Sequence, residues 1–109
     1  MEELISENTR TYDDFEKQLT LQIKPLFYDL RNFCLALGKN VVEDVRMHRV
    51  VFGKSMTLRF FADIEPQRDS VLIKIRRDRK EPLKEIDIKP NENLDQIKSL
   101  LLDAYSNIR

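Results

Sequence analysis

The stretch "TLRFFADIEPQRDSVLIKIRR" (residues 57–77) decides the fold. Successive side chains of an extended chain point to opposite faces. Leu58, Phe60, Ala62 and Ile64 therefore share one side of a strand, and Thr57, Arg59, Phe61, Asp63 and Glu65 share the other. "PQRDS" (66–70) carries turn chemistry. Alternation then resumes, with Val71, Ile73 and Ile75 inward and Leu72, Lys74 and Arg76 outward. Two half-buried strands joined by so short a link form an antiparallel hairpin.

The pattern extends both ways. Downstream, "DRKEP" turns again and "LKEIDI" (83–88) is a last strand, with Ile86 and Ile88 as its apolar pair and Pro90-Asn91 closing it. Upstream, the period changes at Val41, and "VRMHRVVF" (45–52) reads as strand with a slip at His48–Arg49. That slip is a bulge or a turn between two short strands. Gly53-Lys54-Ser55 reads as a turn.

Helices flank the strands. Thr11, with Asp14 three positions on, has the form of an N-cap with acid in the first turn. Apolar residues from Phe15 to Leu37 recur at spacings of three and four, which draws one stripe along a helix. Pro25 interrupts it; a proline inside a helix costs about 3 kcal/mol. Two segments follow, about 12–22 and 25–37, with Pro25 opening the second and Gly38 ending it. A final helix from about Asn93 carries Leu94, Ile97, Leu101, Ala104, Tyr105 and Ile108 on one face. The expected architecture is α+β and two-layered. An antiparallel sheet of four or five strands has the N- and C-terminal helices on one face, covering Phe60, Ile73 and Ile86. Residues 1–10 are expected to form a flexible segment and 11–109 one domain.

Charged residues make up 35% of the chain, yet the formal net charge is zero. The balance is −2 over residues 1–40, +3 over 41–89 and −1 over 90–109. The positive excess lies in the strands. Cys34 is the only cysteine, and on the apolar stripe it is expected to be buried and inert. A reducing, cytoplasmic setting fits this usage. The chain has no apolar run of about 18 residues, so no membrane partner is expected. With two glycines in all, neither a P-loop nor a dinucleotide fingerprint can be built. His48 has no second histidine to work with, and along a strand Asp44 would lie roughly 13 Å away.

The expected open side of the sheet carries Arg46, His48, Arg59, Phe61, Lys74 and Arg76, with Arg77 and Arg79 just beyond. Cations beside an outward ring supply phosphate neutralisation and a stacking surface. Arg59, Phe61, Lys74, Arg76, Arg77 and Arg79 are thus the candidate residues for nucleic-acid or anion binding. The competing reading is a solvated face whose cations pair with Asp63 and Glu65 across strands. For a metal-dependent nuclease, Asp63 is well placed, but Leu72 stands where the next strand would need a carboxylate. Asp69, Asp78, Glu85 and Asp87 are the remaining candidates; Asp87-Ile88-Lys89 fits the acid-x-Lys spacing, with Asp69 or Asp78 able to precede it.

Leu30 to Gly38, the "DIEPQRDSVLIKI" pair after Phe61, Leu94 to Tyr105 and the "TYDDF" start resemble a prokaryotic domain family of unknown function, sometimes labelled "predicted transport protein". The likeness spans roughly residues 12–107. Its members occur alone or C-terminal to restriction-endonuclease-like or ParB-nuclease-like domains. The resemblance implies a two-layer α+β fold, a prokaryotic cytoplasmic home and nucleic-acid company, and offers no catalytic residues to carry over. Two departures stand out: Phe52-Gly53-Lys54 replaces an aromatic-lysine pair, and "RRDRKEP" replaces a longer glycine-rich insert. The expectation is a non-enzymatic binding or assembly module without cofactor or metal, associated with nucleic acid through its basic sheet region. The alternatives are a protein-interaction or homodimerisation domain and, after these, a metal-dependent nuclease.

Overall fold

The computed structural model describes residues 11–55, 59–78 and 80–108. The expectations for residues 1–10, for Thr57 and Leu58, and for Arg79 lie outside them. Among the described residues three helices and five strands follow in the order α1 (Tyr12–Glu16), α2 (Lys24–Leu35), β1 (Val41–Val45), β2 (Val50–Lys54), β3 (Arg59–Pro66), β4 (Val71–Ile75), β5 (Lys84–Ile88) and α3 (Asp95–Asn107). The strands form one sheet in sequence order, each antiparallel to the next. The fold is α+β, as the clustering of strands between helices predicts.

The N-terminal layer forms by local rules. Thr11 Oγ1 accepts from Asp14 N–H at 3.1 Å and caps α1. Pro25 sits in the first turn of α2, where no N–H is needed. α1 is shorter than the sequence predicts, because the chain leaves it to tie down the end of the sheet. Gln18 Nε2 donates to Met47 O in the β1–β2 turn, and Thr20 Oγ1 and Gln22 Nε2 donate to Arg68 O in the β3–β4 turn. The slip at His48–Arg49 is that first turn, closed by Arg46 N–H to Arg49 O at 2.8 Å. His48 is therefore an exposed turn residue, not a strand one.

Gly38 does not act as the helix stop. α2 ends at Leu35, and no described glycine has positive φ. A β-carbon on Gly38 would overlap the Tyr105 hydroxyl, so the residue is small to admit α3. The left-handed position is Asn91, φ 75°, between β5 and α3, where asparagine is tolerated.

Each described helix contributes to one core. Phe15, Ile23, Phe27, Leu30 and Cys34 meet Val50, Phe52, Ile64, Ile73, Ile88 and Leu101 there. Arg31 on α2 grips Glu43 on β1 through two hydrogen bonds of 2.5 and 3.0 Å and stacks over Tyr12 at 3.8 Å. No described helix lies over the opposite face of the sheet.

β3 departs from simple alternation. Its register with β2 shifts between Phe52 and Gly53: Phe52 faces Ala62, whereas Gly53 faces Phe60. Phe61 is the extra residue of a β-bulge. A bulge re-aims side chains, and here Phe61 and Ala62 both turn inward, at 0% and 2% exposure. The Phe61 ring meets the Tyr105 ring edge-on at 5.6 Å. The two phenylalanines are thus reversed from the expected arrangement: Phe60 is on the open side, and Phe61, expected there, is core.

Candidate functional site

The candidate surface is the open face. Paired residues of antiparallel strands point the same way, so the register writes the face row by row. Its central row is Asp44, Val51, Asp63, Lys74 and Glu85. On one side of it lie Val42, Gly53 and Phe60, and on the other Glu65, Leu72 and Asp87.

A shallow depression of about 170 Å³ opens near the centre, lined by Arg46, Val51, Phe60, Asp63, Lys74, Arg76 and Leu83 among others. Val51 lies at its floor, 3% exposed, while Phe60 and Leu83 remain 36% and 42% exposed. The Phe60 ring has two close neighbours. Its Cδ1 is 2.8 Å from where a Gly53 β-carbon would stand, and the Arg46 guanidinium lies over it at 5.3 Å. A glycine opposite an aromatic lets the ring lie across the bare backbone.

The charges are of both signs. Arg46 holds Asp44 at 3.0 Å. Arg49, from the turn, reaches Asp63 at 3.1 Å and Glu65 at 3.7 Å. Lys74 lies between Asp63 and Glu85 in the register, yet no carboxylate among the described residues is within ion-pair distance of it. Asp63 Oδ1 is buried without a hydrogen-bond partner.

The candidate residues do not assemble as expected. Lys74 and Arg76 line the depression together. Arg59 opposes Lys54, whose Nζ donates to Ile108 O at 3.1 Å and lies over the Tyr105 ring, so the register gives Arg59 to the helix side. Arg77 also turns to that layer, bonded to Asp103 Oδ2 on α3 at 2.7 Å and to Glu81 at 3.3 Å. The Asp103 hydrogen bond raises its pKa further above the ordinary arginine value. Phe61 is interior, and Arg79 lies outside the described residues. The basic run of the sequence is split between two sides because the chain leaves the strand after Ile75. Sequence reasoning missed Phe60, Val51 and Leu83. The available clue was Gly53 beside an aromatic doublet, since a glycine within a strand often marks a bulge.

The carboxylates weighed for metal chemistry are dispersed. Asp63 is engaged by Arg49, Glu85 and Asp87 are exposed on β5, and Asp69 and Asp78 flank opposite ends of β4. Among the described residues no group of three or more His, Cys, Asp or Glu side chains is arranged to hold a metal ion. Burial first, with Glu43 adding to it, pushes the Cys34 thiol up to about 12. No described helix is long and apolar enough to cross a membrane. No family model, curated protein or solved structure matches this chain.

Proposed function

We propose that this chain is a non-catalytic binding or assembly module that presents the open face of its sheet to a protein surface. The observation that carries this reading is the composition of that face. Phe60, Val42 and Leu83 are 36–42% exposed amid alternating charges of both signs. Exposed apolar side chains set among charges of both signs suit contact with a protein surface. An anionic polymer would call for one sign of charge. A photo-crosslinking phenylalanine analogue at position 60 tests it, with position 28 as control, since Tyr28 is 53% exposed on α2. Protein adducts are expected from position 60 in extract of the source cells and not from position 28. Adducts that are absent, or equal at the two positions, overturn the reading.

A second reading, nucleic-acid association, is supported by Arg46, Lys74 and Arg76 around one depression. Fluorescence anisotropy with single- and double-stranded oligonucleotides at low salt tests it. Binding that is lost on Lys74→Glu with Arg76→Glu supports it; no binding at low salt, where electrostatic affinity is greatest, ends it.

A further inference from the structure

We propose that the depression on the open face is a binding site for a small organic acid, its anionic group held by Lys74 and Arg76 and its apolar body, about one ring in size, set against Val51, Phe60 and Leu83. The inference goes beyond the reading of this face as a protein interface and does not depend on it.

The charges around the depression select an anion. Lys74 in β4 and Arg76 just beyond it both line the depression. Arg76 N–H still bonds to Phe61 O at 2.9 Å, so the main chain stays held to β3 there. Two residues along an extended chain span about 7 Å, which lets both long side chains reach one carboxylate. Asp63, the acid among the lining residues, gives its Oδ2 to Arg49 at 3.1 Å. That ion pair offsets the repulsion Asp63 would exert on an incoming anion. Arg46 already holds Asp44 and lies over the Phe60 ring, so it forms a wall of the depression. Other surface hollows bring less to a ligand. At one, Arg77 is taken by Asp103 and Glu81; at another, Lys98 is taken by Asp29.

The apolar lining selects an organic body. Phe60 and Leu83 are 36% and 42% exposed over a floor of buried Val51, and a ligand that covers them gains by removing that surface from water. The volume is about 170 Å³. A cavity of about 150 Å³ holds one benzene ring, whereas drug-sized ligands need about 300 Å³ or more. A single-ring or branched aliphatic acid fits this space.

NMR of the isotope-labelled chain tests the site by titration with phenylacetate, phenylacetamide and inorganic phosphate at matched ionic strength. Concentrations up to about 10 mM suffice, because a ligand of this size binds with a Kd on the order of 1 mM. Phenylacetate is expected to give saturable shifts centred on Val51, Phe60, Lys74 and Leu83. Phenylacetamide keeps the ring without the charge, and phosphate keeps a charge without the ring; each is expected to bind about tenfold more weakly. Lys74→Gln is expected to weaken phenylacetate by about tenfold, and Leu83→Ser, which removes an exposed wall, by about threefold. No saturable shifts with phenylacetate overturn the site. Equal binding of phenylacetamide overturns the anionic group, and equal binding of phosphate overturns the apolar body. Shifts as large around Phe33 and Lys98 as around Phe60 mark unspecific association and overturn the proposal as well. The wild-type titrations decide even if a variant fails to fold, and the protein-interface reading is decided separately by the adducts at position 60.

Discussion

The Tyr105 hydroxyl donates to Asn40 Oδ1 at 2.5 Å, in the space a side chain on Gly38 would need. This contact joins the α2–β1 connection to α3 across 65 residues of sequence. Gly38→Ala should destabilise the fold by about 1–3 kcal/mol, as overpacking does. The Tyr105 ring is wedged against Phe61 and cannot yield cheaply. Urea denaturation is the measurement. An unchanged midpoint in Gly38→Ala would show that the ring moves aside.

Phe61→Ala should cost about 3–5 kcal/mol, the range for a buried aromatic, because Phe61 is fully buried in the core cluster. Phe60→Ala should cost under about 1 kcal/mol, as expected for a partly exposed site. The paired denaturation curves test the bulge directly, and the reverse ranking would restore simple alternation.

Gly53→Ala should weaken the β2–β3 ladder, with a cost of about 1–3 kcal/mol. Its β-carbon would stand 2.5 Å from Arg59 O, a backbone atom with nowhere to go. Hydrogen exchange should show lost protection in β2 and β3 ahead of β4 and β5. Uniform loss across all five strands would contradict a local role.

Alkaline pH should destabilise the protein in two stages. Burial first, then Glu43, raises the Cys34 thiol from 9.0 to about 12; burial first, then Glu16, raises the Tyr12 phenol from 10.0 to about 12. Both groups keep their protons in the folded chain at pH values where the unfolded chain has lost them. Stability is therefore complete below pH 9 and falls as pH rises towards 12, by at most about 1.4 kcal/mol per pH unit for each group. In Cys34→Ala the decline should begin nearer pH 10. Denaturant midpoints at pH 8, 9, 10 and 11 check this, and an onset unmoved by the substitution would remove Cys34 from the account.

Much of the architecture is legible in the sequence. Val71, Ile73 and Ile75 declare their face because β4 is regular along its length, and Pro25 divides the helical stripe because its missing N–H is harmless only in a first turn. β3 is misread because a bulge belongs to the pairing of two strands. The phenylalanine doublet reads as plain alternation until Gly53 is set opposite Phe60. Gly38 is misread for a related reason: its constraint comes from Tyr105, far along the chain. The candidate site suffers most, since adjacency in sequence puts Lys74, Arg76 and Arg77 together whereas Arg77 is drawn to Asp103 on the helix layer. Charge runs locate residues along one dimension, and a strand end distributes them over two surfaces.

The bulge has a consequence for variation in chain length. Phe60 and Phe61 are the same residue type, so losing either one yields an identical polypeptide. That shortened chain could pair β2 with β3 without interruption, but a single ring could not serve both the interior beside Tyr105 and the outer surface beside Gly53. A one-residue deletion here should therefore be as damaging as truncating the buried ring, even though it makes the ladder more regular.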